Sequence, residues 1–166
     1  MKQLILIRHA KSSWSDYNIT DIERPLNNRG KRDAPFMGEL LFKKQIIPDI
    51  IYSSPAVRAF TTAKIIAQEV NYPTDKIIKK SEIYEASPGS LLQLVNSFSD
   101  EDKTVIMFGH NPGFTLLTNY LHNNFITNMP TCSVVHLSFD TNSWQEITAD
   151  SGTLVRFEYP KKYNNQ

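Results

Sequence analysis

Leu4, Ile5, Leu6 and Ile7 form an unbroken aliphatic run that passes directly into Arg8-His9-Ala10. A run of this kind has no polar face to offer water, so it fits a strand covered on both sides. Open α/β sheets are built from such strands and place their chemistry just beyond the carboxyl ends. At that point this chain sets a permanent cation beside an imidazole. The pairing suits a phosphoryl group, whose oxygens an arginine can clamp while a histidine attacks the phosphorus. An Arg-His dipeptide is common by itself, so its weight depends on what the rest of the chain brings to it.

Strand and helix patterns alternate through most of the sequence. A first strand over residues 3–8 leads into a polar loop holding Ser12, Ser13, Trp14 and Asp16. Asn27-Asn28-Arg29-Gly30 offers helix-capping residues, and Phe36, Met37, Leu40 and Leu41 follow at helical spacing. Pro35 within that helix implies a kink or a restart. Residues 48–53 read as a second buried strand. Ser54-Pro55 then signals a helix, with serine as N-cap and proline at the first helical position. Val57, Ala63, Ile66, Ala67 and Val70 supply its apolar stripe.

Ile77-Ile78 fits a short third strand near an edge, because lysines flank it. Ser87-Pro88 opens another helix, carrying Leu91, Leu92, Leu94, Val95 and Phe98. Residues 104–108 form the fourth strand, ending at Gly109-His110-Asn111-Pro112-Gly113, before a helix with Leu116, Leu117, Tyr120 and Leu121. Residues 134–139, 144–148 and 154–159 look strand-rich and meandering, and the tail from Lys161 onward is expected to fray. The alternation predicts a single domain over residues 1–166: a three-layer α/β/α sandwich with a mainly parallel sheet and an antiparallel strand.

Bulk composition closes off several functions. With 18 basic and 17 acidic residues the net charge is +1, which makes no electrostatic case for nucleic acid or an anionic membrane as partner. Cys132 is the one cysteine, so no intramolecular disulfide can form. The aliphatic run before Arg8 is too short for a signal-peptide core or a membrane span, and a cytoplasmic protein is expected. No His-X-His, His-Glu-X-X-His or paired-cysteine pattern occurs, and a pocket holding two arginines would repel a cation. We therefore expect neither a metal nor a cofactor.

Three strand ends look alike: Arg8-His9, Ser53-Ser54-Pro55 with Arg58 one turn further on, and Gly109-His110-Asn111. If the three strands are parallel, two arginines and two histidines converge on one edge of the sheet. Phosphoryl transfer spreads negative charge over the equatorial oxygens, which preorganised cations stabilise. Arginine supplies a planar fork that keeps its proton. The nucleophile needs a lone pair near neutral pH and must also leave again, and imidazole, with an unperturbed pKa of about 6.5, meets both demands. Helix N-termini after Ser54 and Asn111 would add backbone donors to the same anion.

These segments, together with Lys11, Glu23-Arg24-Pro25-Leu26 and Gly30, resemble the histidine phosphatase superfamily, which includes the cofactor-dependent phosphoglycerate mutases. Ala10, where many members have glycine, and the short chain are most similar to the SixA-type phosphohistidine phosphatase branch. The resemblance spans Leu4 to about Pro160 and implies a phosphoglycerate mutase-like fold. It also implies that His9 is the nucleophile, that Arg8, Arg58 and His110 bind the phosphoryl group, and that Arg24 lies near the pocket. The family's general acid is usually a glutamate after the third strand. Glu85 in Ile83-Tyr84-Glu85-Ala86 matches it best, with Glu82 as the competing candidate.

A phosphoramidate nitrogen can take its proton before the bond breaks, whereas an alkoxide needs an acid, worth roughly 10²–10⁴-fold. An enzyme for phosphohistidine can thus manage with a poor acid. Mutase-like relatives carry long insertions that build a lid, while here only a helix and a strand separate Glu85 from His110. An open pocket that accepts phosphohistidine on a signalling protein is expected. The alternatives are a small-molecule phosphomonoesterase acting on a sugar or nucleotide phosphate and a phosphate-binding adaptor without turnover. Among the remaining residues, Arg24 has a structural alternative in pairing with Asp21 or Glu23, and Trp14 can flank the pocket or simply pack. His122 and His136 read as surface or core residues, and Cys132 as a small buried side chain.

Overall fold

The structure, a computed structural model, describes residues 1–164. One six-stranded sheet organises it, with spatial order β3-β2-β4-β1-β5-β6. The strands are β1 (Lys2–Arg8), β2 (Ile50–Ser53), β3 (Ile78–Lys79), β4 (Thr104–Gly109), β5 (Val134–Phe139) and β6 (Gly152–Glu158). β1 to β4 are mutually parallel, and β5 runs antiparallel to both β1 and β6. The aliphatic run of β1 lies at the centre, and its side chains alternate between two cores. Leu4 and Leu6 join one cluster, Ile5 and Ile7 the other. That division is why the run needs no polar residue.

Helices cover both faces. α1 (Asn28–Lys43) and α2 (Val57–Glu69) bury Met37, Leu41, Ala63 and Ile66 against one side. α3 (Pro88–Asn96) and α4 (Gly113–Leu121) bury Leu91, Val95, Phe114 and Leu117 against the other. The result is the expected three-layer α/β/α sandwich. Asn27 caps α1 by accepting from the Gly30 amide, and Ser87 caps α3 by accepting from the Ser90 amide.

Four local expectations change. Pro35 lies inside α1, which continues as one 16-residue helix without a restart. Residues 144–148 are not a strand: Trp144–Glu146 is a one-turn 3-10 helix. Its backbone is captured by side chains, with the Trp144 amide donating to Asp100 and the Asn96 amide donating to the carbonyls of Trp144 and Ile147. The tail folds into α5 (Lys161–Asn164) instead of fraying there, and residues 165 and 166 lie outside the described residues.

The fourth change bears on the site. Ser54 is not the N-cap of α2, which starts at Val57 with Ala56 in the capping position. The Ser54 amide donates to the Phe108 carbonyl and so remains part of the sheet edge. Its hydroxyl accepts from the Ala56 amide in a local turn, and Pro55 sits within that turn. Ser54 is thereby freed for a different task.

Candidate active site

Register brings the site together. Arg8 pairs with Gly109 across β1 and β4, and Ser53 pairs with Phe108 across β2 and β4, so three carboxyl ends finish level. The His9 amide extends the first ladder by donating to the Gly109 carbonyl at 3.1 Å. His9 and His110 consequently face each other, with ring centroids 5.2 Å apart. Arg58, the second residue of α2, reaches the same edge and is 6% exposed, as is His9.

Each ring is held in a defined tautomer. Nδ1–H of His9 donates to its neighbour's carbonyl, Ala10 O, at 2.7 Å, which leaves Nε2 as the nitrogen with a free lone pair. His110 Nε2 lies 2.8 Å from the Ser54 hydroxyl. That hydroxyl also accepts from the Ala56 amide, and where it donates its own hydrogen to Nε2, His110 carries its proton on Nδ1. Nδ1 of His110 is buried and has no partner, and the same is true of Nε of Arg8 and Nε of Arg58. Each orphaned buried donor costs roughly 1–3 kcal/mol unless an acceptor arrives.

Arg8 is braced from behind by the Met129 carbonyl, to which its Nη1 donates at 2.9 Å. The same carbonyl accepts from the Asn111 side-chain amide, while Asn111 Oδ1 accepts from the amide and hydroxyl of Thr115. The Cys132 amide in turn donates to the carbonyls of both Arg8 and His9. Asn111 was expected to offer a phosphate contact, but its side chain is committed to holding this loop behind Arg8. Two of the backbone donors expected at the start of α4 are spent within the protein, since Phe114 N–H binds the His110 carbonyl and Thr115 N–H binds Asn111.

Arg24 is buried and fixed on three sides. It donates to Asp21 at 3.1 Å and to the Ser12 hydroxyl at 2.5 Å, and its guanidinium lies 3.5 Å from the centre of the exposed Trp14 ring. The pairing with Asp21, the structural alternative for Arg24, is thus formed. Asp21 also accepts from Arg58 and from the Tyr84 hydroxyl. Sequence reasoning passed over Asp21, Tyr84 and Ser54 as members of this cluster.

The two glutamates separate in space. Glu85 shares a cleft of about 350 Å³ with His110, Asn111 and Gly113; both glutamates line an outer groove along α3, but Glu82 does not reach the cleft. Glu85 is held in the left-handed region at φ 55°, a conformation that costs a non-glycine residue about 1–2 kcal/mol. Gly113 lets this segment approach, since a Cβ there would lie 2.5 Å from the Ala86 carbonyl. Of the other residues weighed from sequence, His122, His136 and Cys132 are all buried; Cys132 touches this edge through its amide, while its thiol joins the core cluster of Ile5 and Ile7. Among the described residues, no group of three His, Cys, Asp or Glu is placed to hold a metal ion.

The charge states follow from burial. Desolvation, reinforced by neighbouring cations, holds His9 down at about 3 even though its bond to Ala10 works the other way. The same causes hold His110 at about 4, and burial beside Arg156 holds His136 at about 4. All three are neutral in the fold yet take up protons near pH 6.5 once unfolded. The unfolded chain thus binds more protons below about pH 6.5, and stability falls as pH drops through that window. We expect the melting temperature at pH 5 to lie at least roughly 5 °C below that at pH 7.5. A scan showing no such drop would contradict neutral buried imidazoles.

A match over residues 4–96 to the histidine phosphatase superfamily (branch 1) decides the family. The chain belongs to the histidine phosphatase superfamily. It is 31% identical over 159 residues to an uncharacterised chloroplastic protein of Arabidopsis thaliana, covering 91% of this chain and 72% of that one. The structure assigned to the phosphohistidine phosphatase SixA of Agrobacterium tumefaciens superposes with a TM-score of 0.80 at 25% identity, covering 96% of this chain and 98% of that one. A protein histidine phosphatase SixA solved with tungstate superposes with a TM-score of 0.83 at 18% identity, over 96% and 98% of the two chains. The sandwich is therefore the phosphoglycerate mutase-like fold in its SixA form, and the chain is a phosphatase of the hydrolase class.

Proposed function

We propose that this chain, acting as one histidine phosphatase domain, removes phosphoryl groups from phosphohistidine on a signalling protein through a phospho-His9 intermediate. The observation that carries the substrate choice is the shape of the approach. The cleft beside His110 runs through Glu85, Ala86 and Ser87 into the groove of about 580 Å³ along α3, giving an open trough. A trough of that kind suits a side chain presented on a protein surface. Among the described residues no helix is long and apolar enough to cross a membrane, and a cytoplasmic location is part of the proposal.

In the first step Nε2 of His9 attacks phosphorus, the P–N bond to the substrate imidazole breaks, and that imidazole leaves with a proton it has already taken up. Arg8, Arg58, and Nδ1–H of His110 hold the equatorial oxygens as their charge grows. In the second step water attacks phosphorus and the P–Nε2 bond breaks, which releases phosphate and returns His9 to its neutral form. Arg24 acts at the margin by holding Asp21. Glu85 provides an acid for leaving groups that need one.

Glu85 beside His110 also favours the second reading, a phosphomonoesterase for small molecules. One comparison separates the two: kcat/KM for a histidine-phosphorylated protein against a panel of sugar, nucleotide and aryl phosphates. We expect the phosphohistidine protein to lead by at least tenfold. Glu85→Gln should cost ester turnover on the order of 10²-fold and phosphohistidine turnover less than threefold. A preference for esters, with Glu85→Gln damaging both classes equally, would overturn the assignment. Tight binding of a labile aryl phosphate without any product in a single turnover would indicate the adaptor.

A further inference from the structure

Asp21 is the feature of this edge that phosphoryl chemistry alone does not require. A carboxylate among arginines lowers the positive charge available to a phosphate, so its presence calls for a compensating role. Its contacts supply one. The Nη1 of Arg58 donates to the Asp21 backbone carbonyl at 2.7 Å and the Nη2 to Asp21 Oδ2 at 3.1 Å. This two-point contact fixes the plane of a guanidinium that otherwise swings on a long flexible stem. The remaining donor, Nε, is buried and unpartnered.

Asp21 is itself anchored from two further segments. Arg24 Nε donates to Oδ1 at 3.1 Å, and the Tyr84 hydroxyl donates to Oδ2 at 2.5 Å. The Tyr84 ring then packs edge-on against His110 at 5.5 Å, so one carboxylate joins the supports of Arg58 and His110. The residue is presented by the one-turn 3-10 helix Asp21–Glu23, where the Thr20 amide donates to the Glu23 carboxylate and the Glu23 amide to the Thr20 carbonyl.

We propose that Asp21 is a positioning residue of the phosphoryl site, fixing Arg58 in the orientation the transition state needs and tying it through Tyr84 to His110. The proposal rests on the phosphatase reading above. Three arginines and one carboxylate leave the cluster with two positive charges when both histidines are neutral, which matches a dianionic phosphoryl group. Asp21 also shields Arg58 from repulsion by Arg8. Without it, Arg58 would be both mobile and repelled. A mobile arginine can still be drawn onto ground-state phosphate. It cannot serve a developing transition state without reorganising, and that is where the loss should appear.

The test uses Asp21→Asn, Tyr84→Phe and the double variant in the full chain. Turnover of an aryl phosphate is measured with inhibition by orthovanadate, a five-coordinate mimic, and by inorganic phosphate, a ground-state mimic. Asp21→Asn should lower kcat by 10–100-fold with KM within threefold. It should weaken orthovanadate by at least tenfold while phosphate stays within threefold. Tyr84→Phe should give a smaller loss of the same kind, and the double variant should be no worse than Asp21→Asn alone.

Undiminished kcat in Asp21→Asn would overturn the proposal. So would equal weakening of both anions, which a general loosening of the site produces, or multiplicative losses in the double variant. If the unaltered protein neither turns over the substrate nor binds either anion, the phosphatase reading fails and takes this one with it. An active unaltered protein with an equally active Asp21→Asn sinks this proposal alone.

Discussion

His9→Ala should lower turnover by on the order of 10⁴-fold or more and abolish the acid-labile phosphoenzyme that brief exposure to substrate otherwise leaves on the protein. The size of the loss follows from the assignment. A removed nucleophile takes the whole two-step route with it, while the arginines retain only anion binding. Phosphate affinity should survive within about tenfold, because the orphaned donors belong to Arg8, Arg58 and His110. His9 is almost fully buried, so the melting temperature must be recorded and His9→Gln run in parallel. A stably folded His9 variant that keeps full activity would remove His9 from the mechanism. The depressed pKa of His9, about 3, adds a second signature. Turnover should persist through pH 6.5 and fall only well below it, without the limb of an ordinary histidine.

Arg58→Ala is expected to cost 10²–10⁴-fold in kcat/KM, the range for removing a preorganised charged donor from a phosphoryl transition state. Arg58→Lys should recover little. A lysine can reach an anion as a point charge, but it cannot grip Asp21 at two points while presenting a further N–H to the ligand. Stability should change less than activity. Asp21 keeps its partners Arg24 and Tyr84 when Arg58 is gone, so the deletion leaves no lone buried charge. Near-normal kcat/KM in Arg58→Lys would show that only charge matters there.

The sheet and its chemistry were legible because both are written in short local patterns. The continuous run Leu4–Ile7 could only be a doubly covered strand, and it could only deliver Arg8 and His9 at a carboxyl end. Ser87-Pro88 announced α3 through a cap that depends on adjacent residues. Ser53-Ser54-Pro55 shows where local reading stops. The same Ser-Pro signal pointed to a cap, yet Ser54 is held to β4 by its amide, and its hydroxyl serves His110, which is distant in sequence.

Other features left no trace at all. The backbone carbonyl of Met129 that braces Arg8 has no residue type to betray it, and the Asp21–Tyr84 contact joins positions 63 apart. Trp144 was misplaced for a related reason, since side chains from elsewhere claim the backbone groups a strand would have used. The preference for Glu85 over Glu82 was drawn from the resemblance, and the cleft that Glu85 but not Glu82 shares with His110 agrees with it.

The level ending of β1, β4 and β2 divides labour within this molecule. The groups assigned to bond making and breaking hang directly from the central ladders or, in the case of Arg58, from the first turn of the helix that follows one. The walls of the trough come instead from peripheral connections, the Glu85 segment and the loop after β4, together with one side of α3. Changes in those connections can alter which molecule is admitted while the reaction stays the same. Shifting the ladders would dismantle the reaction and the core together. A lineage built on this frame is free to explore new substrates and is held to a single chemistry.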